Sequence, residues 1–133
     1  MRNKINIEDI LRYSSEDDFR YWINENPENV KNKYNGGRTV LHYASLLGKK
    51  NFVRILIKVP NIDLNSKSDS GWTPLHSAAL WGEKEIINIL LSSGVDVSIK
   101  DKFGRTAADV AFENGDVCKD LFKSRSDKQN SIK

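Results

Sequence analysis

Two stretches of the chain carry apolar residues at the spacing of one helix face. They are Phe52, Val53, Ile55 and Leu56 in the first, and Ile86, Ile87, Ile89, Leu90 and Leu91 in the second. Each follows a shorter stretch that has its own start and stop signals. Thr39 and Thr73 stand where a helix begins, and their hydroxyls can accept from the orphan N–H groups of a first turn. Pro74 suits the first helical position, where no N–H is needed. Gly48 and Gly82 suit the left-handed residue that ends a helix, and Gly94 does the same for the second stretch. The pattern predicts a short helix, a glycine turn, a second helix and a turn-rich connector (Asn65 to Ser70, then Ser98 to Phe103).

The unit recurs. Gly37-Arg38-Thr39-Val40-Leu41-His42-Tyr43-Ala44 aligns with Gly71-Trp72-Thr73-Pro74-Leu75-His76-Ser77-Ala78 and with Gly104-Arg105-Thr106-Ala107-Ala108-Asp109-Val110-Ala111. The leading glycines are 34 and then 33 residues apart, and Gly48, Gly82 and Gly115 each follow after 11 positions. A period near 33 with Gly-x-Thr-Pro-Leu-His-x-Ala, two helices and a turn-rich connector resembles the ankyrin repeat. The stretch from Gly71 to Gly94 matches that pattern nearly position for position. Leu64-Asn65 resembles the family's hydrophobic-Asn step before the connecting hairpin. The resemblance implies an all-α solenoid of about four helix-turn-helix units with short hairpin-like connectors.

The departures carry information. Val40 replaces the family's Pro, and one extra residue in Val59-Pro60-Asn61 accounts for the longer spacing. Tyr34 and Ser68 occupy a place where the family often has Asp, which only Asp101 keeps. The third unit reads Thr-Ala-Ala-Asp, as a terminal repeat does. Solenoids need end units with one polar face, and residues 5–36 fit that role. Shifting the Gly37 unit back by 34 sets Trp22 and Ile23 over Leu56 and Ile57. It predicts helices over Ile7 to Ser14, burying Ile7, Ile10 and Leu11, and over Glu16 to Asn24. The organisation expected is a repeat domain over residues 1–123, comprising units 5–36, 37–70, 71–103 and 104–122. Val117, Cys118, Leu121 and Phe122 supply the last apolar face, with Cys118 a packing residue. A disordered polar tail is expected over 124–133.

Composition narrows the functions. The formal net charge is +3 from 21 basic and 18 acidic side chains, with Lys and Arg unclustered except in the tail, which speaks against nucleic acid. A single cysteine excludes an intramolecular disulfide and suits the cytosol or nucleus. The N-terminus lacks the apolar segment of a signal peptide, and no apolar run reaches the roughly 20 residues that span a bilayer. Met1 and the polar tail favour a complete short chain.

No catalytic constellation emerges. His42 and His76, 34 residues apart, fall at equivalent places in adjacent units, too far apart to share one metal. The resemblance implies that each bonds its own unit's Thr and neighbouring backbone. Neither a nucleophile elbow nor a P-loop occurs. Asp63 to Asp69 lacks the Gly and Glu of a calcium loop. The expectation is a non-enzyme that needs no cofactor and binds no metal.

In ankyrin arrays partners meet the hairpin tips and the exposed side of the first helices. Carried over, this assigns partner contact to Tyr13, Arg38, Leu46, Leu47, Trp72, Leu80, Trp81, Phe103 and Arg105, in a groove centred on Trp72 and Trp81. Leu46 and Leu80 are the two most suited to packing between helices instead. Trp, Tyr and Arg are the usual hot-spot residues. The function expected is a monomeric protein- or peptide-binding scaffold. The competing reading is a regulatory or targeting module of a larger protein, such as an enzyme or an acyl-CoA- or lipid-binding protein. A further idea, hydroxylation of Asn65, rests on the resemblance alone.

Overall fold

The structure, a computed structural model, describes residues 6–113 and 120–122. Among them the regular elements are all helical. They run α1 (Ile7–Tyr13), α2 (Glu16–Glu25), α3 (Val40–Leu46), α4 (Lys50–Ile57), α5 (Pro74–Leu80), α6 (Lys84–Ser92) and α7 (Ala107–Glu113), with 3-10 turns at Pro27–Val30 and Asn35–Gly37. The first helices of the units stack in one layer, α1 on α3 on α5 on α7, and the second helices stack in another, α2 on α4 on α6. This is the helix-turn-helix solenoid expected from the repeat.

Burial follows position in the stack. Interior helices are enclosed on nearly every side: Val40 to Ser45 of α3 and Pro74 to Ala79 of α5 are all buried. The terminal helix α1 buries only Ile7 and Leu11, with Ile10 half-exposed. At the other end α7 buries Ala107, Val110 and Ala111, and Phe122 joins the same core. Terminal helices need one apolar stripe, whereas interior ones need more. The outer layer is bonded by Phe19 of α2 stacked on Phe52 of α4, ring centroids 4.4 Å apart and 13° from parallel.

The N-terminal unit follows a shift of 33, not 34. Asn6 caps α1 as Thr39 caps α3, and Phe19 and Ile23 match Phe52 and Leu56. Trp22 therefore corresponds to half-buried Ile55, not Leu56, and leans on Phe19 instead. The missing glycines had left the register to apolar residues that run together as Trp22-Ile23. Helix α1 also stops at Tyr13, one residue short of the expected Ser14, and α2 runs one residue beyond Asn24. The acids at the start of α2 behave as read: Ser15 accepts from the Asp18 N–H, with Glu16, Asp17 and Asp18 in the positive first turn.

Each connector closes like a hairpin. Tyr34, Ser68 and Asp101 donate their N–H to the carbonyls of Arg38, Trp72 and Arg105 at 2.7, 2.8 and 2.9 Å. Successive connectors are also tied together, Asp69 N–H to Gly36 O at 2.9 Å and Lys102 N–H to Ser70 O at 3.1 Å. The extra residue near Pro60 is absorbed before Asn61, which takes the left-handed conformation (φ 63°) that Gly94 takes one unit later (φ 87°). The expected roles of Gly115, Val117, Cys118 and the tail over 124–133 lie outside the described residues. Among those described, no helix is long and apolar enough to cross a membrane.

Gly71 combines left-handed backbone (φ 82°) with close approach: an added Cβ would lie 3.1 Å from the Asp101 Cα and the Lys102 N of the next connector. Gly104 has a similar φ but open space around it. Gly104→Ala should therefore cost about 1 kcal/mol in backbone strain, and Gly71→Ala about 2 kcal/mol or more through the added clash. Urea unfolding of the two variants checks the order.

Candidate functional site

The histidines show why the inner layer stays in register. His42 Nδ1 accepts the Thr39 N–H at 3.0 Å, with the Thr39 hydroxyl 2.9 Å away. Since a backbone N–H can only donate, Nδ1 carries no proton and the proton sits on Nε2. Nε2–H then donates to the carbonyl of Trp72 in the next unit at 2.7 Å. His76 repeats the arrangement on Thr73 and reaches the Arg105 carbonyl at 2.9 Å. Both rings are buried. In the third unit Asp109 takes the histidine's place in the cap, exchanging bonds with Thr106 at 2.9 and 3.2 Å, and no ring extends further.

The tip of the connector between α6 and α7 holds a second network. Asp101 Oδ1 accepts the N–H groups of Phe103 and Arg105, and Oδ2 accepts Trp72 Nε1–H at 2.9 Å and Arg105 Nε–H at 3.0 Å. Burial would raise this carboxyl, but the bonds from Arg105, Trp72 and Phe103 outweigh it and bring the pKa down to about 2. Arg105 also pairs with Glu113 at 2.9 Å, and its guanidinium lies over the rings of Phe103 and Trp72 at 5.4 and 5.9 Å. Trp72 is also stacked on His76, ring centroids 5.8 Å apart.

The residues assigned to partner contact separate into two groups. Tyr13 at 80 % exposure, Phe103 at 80 %, Trp81 at 62 % and Arg38 stand in solvent. Leu47, Leu80 and Trp72 are half-buried against the core, and Leu46 is half-exposed at the end of α3. Arg105 is committed to Asp101 and Glu113. Its counterpart Arg38 has no carboxylate partner among the described residues, because Tyr34 stands where Asp101 would be; its guanidinium lies over the Tyr43 ring at 5.7 Å. The sequence reading missed the Trp72–Asp101–Arg105 network. Its available signal was Asp101, the one acid kept at the connector position.

Two cavities lie away from Trp72 and Trp81: one of about 580 Å³ between α2 and α4, the other of about 540 Å³ beside the loop that follows α4. Among the described residues no cluster of His, Cys, Asp or Glu is placed to hold a metal. Asp63, the first acid of the discarded calcium loop, accepts the Asn65 N–H at 2.9 Å.

A family model described as ankyrin repeats, three copies, matches residues 10–101. A search of the curated proteins finds no match to the chain.

Burial lowers the His42 pKa from 6.5 to about 4, against the opposing pull of the Trp72 carbonyl, and lowers that of His76. A group depressed in the fold takes up its proton more readily when unfolded. The stability it contributes is present above pH 6.5 and lost as pH falls toward 4. Unfolding free energy should drop across that window by about 3 kcal/mol for His42, with a further loss from His76. Denaturant melts at several pH values should show the slope, and His42→Gln should flatten it. An unchanged slope in that variant would remove His42 as its source.

Proposed function

The chain belongs to the ankyrin-repeat family, and on that premise we propose that it is a non-catalytic scaffold gripping a protein or peptide segment along its first helices and connector tips. Ankyrin repeats are in general protein–protein interaction modules. The observation that carries the finer reading is a row of apolar side chains at the C-terminal ends of the inner helices. Tyr13 ends α1, Leu46 and Leu47 close α3, and Leu80 and Trp81 close α5. A helix end facing water has no need of Trp or Tyr, and exposed apolar area in a contiguous row mostly marks an interaction site.

The two tryptophans have different duties in this reading. Trp81 is free to enter a partner, whereas Trp72 is held by Asp101, Arg105 and His76 and forms a stiff wall beside it. Arg38, without a carboxylate partner among the described residues, favours a bound segment with an acid near its apolar anchors. The lone cysteine supports work in the cytosol or nucleus, and the scaffold is read as a monomer.

The test is selection of displayed peptides on the wild-type chain, followed by affinity measurement on single variants. Trp81→Ala should weaken the selected peptides by about 2 kcal/mol, roughly thirtyfold, while the thermal midpoint stays within a degree or two. Trp72→Ala should lower the midpoint as well, because it strips a buried carboxylate of a donor. Peptides that bind Trp81→Ala and Tyr13→Ala as tightly as wild type would overturn the assignment.

A further inference from the structure

The cavity of about 540 Å³ beside the loop after α4 is lined by three lysines, Lys31, Lys33 and Lys67, against a single carboxylate, Asp63. That carboxylate is partly occupied, since Oδ1 already accepts the Asn65 N–H. Lys33 is fixed in place: its ammonium donates to the Lys67 carbonyl at 2.9 Å, crossing from the first unit to the next. Lys31 and Lys67 make no hydrogen bond or ion pair through their ammonium groups among the described residues. Asn61 and Asn65 join the lining. Asn65 uses its oxygen to accept the Asp96 N–H at 2.9 Å, so its NH₂ is the end left to donate.

The larger cavity between α2 and α4 differs on this point. Both its arginines are paired, Arg20 with Glu16 and Asp17 and Arg54 with Glu85, which leaves Lys58 as its one cation without an ion pair among the described residues. Around the smaller cavity the positive charge is unspent. Three lysines and two asparagines lining one cavity suit a multiply charged oxyanion rather than a single carboxylate, because each added oxygen can take up another charge-assisted bond. We propose that this cavity binds a phosphate-class oxyanion, presented free or as a phosphoester. It uses none of the residues assigned to partner contact, so it stands or falls separately from the scaffold reading.

The experiment is an NMR titration of the full chain at constant ionic strength, since exposed lysines respond to salt alone. The probes are inorganic pyrophosphate, a phosphoserine peptide and its unphosphorylated counterpart. Saturable shifts confined to the amides around Lys31, Lys33, Ser66 and Lys67 are expected with pyrophosphate, the phosphopeptide or both, and the two arms identify the source. Lys31→Gln/Lys67→Gln, which removes no hydrogen bond from the fold, should weaken binding at least tenfold. Lys58→Gln, at the other cavity, should leave it unchanged. Linear shifts spread over all lysines, equal response to the unphosphorylated peptide, or undiminished binding in the double variant would each overturn the proposal.

Discussion

The register between the middle units depends on an imidazole that must stay neutral. His42 accepts from the Thr39 N–H at one nitrogen and donates to the Trp72 carbonyl at the other. A protonated ring would set two donors against each other at Nδ1 and lose the histidine's half of the capping box. Because acceptor and donor sit at opposite ends of a rigid ring, the same side chain that closes its own first turn also sets the distance to the next connector. His76 does this again toward Arg105. The two full units thus each use one buried polar side chain to convert local helix capping into long-range register.

The face follows from that register. Once first helices are held side by side, positions 33 or 34 residues apart fall in line, and the helix ends bring Tyr13, the Leu46–Leu47 pair and Trp81 into one row. Backbone bonds between connectors, and the fit of Gly71 against Asp101, keep the tips in step. Salt links on the outer layer, such as Lys50 with Glu85, are exposed and contribute little. The Asp101 network is different in kind: a carboxylate removed from solvent, with four donors, fixes Trp72 and Phe103 around Arg105.

The architecture was legible because its devices are short-range. Thr caps, glycine stops and apolar spacing each act within one turn, so Gly71 to Gly94 could be read almost residue by residue. The N-terminal unit lacks those glycines, and there the register slipped by one, setting Trp22 where Ile23 belongs. Surface roles were harder. Trp72 is held half-buried by a bond to Asp101, 29 positions away in sequence, and no local pattern states that contact. The lysine-lined cavity is hidden for the same reason: Lys31, Lys33 and Lys67 look like scattered solvated charges until adjacent units stack.

Neutral histidines, protonated at Nε2, tie each of the two full units to the one that follows it. Long-range proton–nitrogen correlation of the two imidazoles at neutral pH tests it most directly. Both rings should show a bare Nδ1 and a slowly exchanging Nε2–H. A proton on Nδ1, or rings that average freely between the two forms, would contradict it.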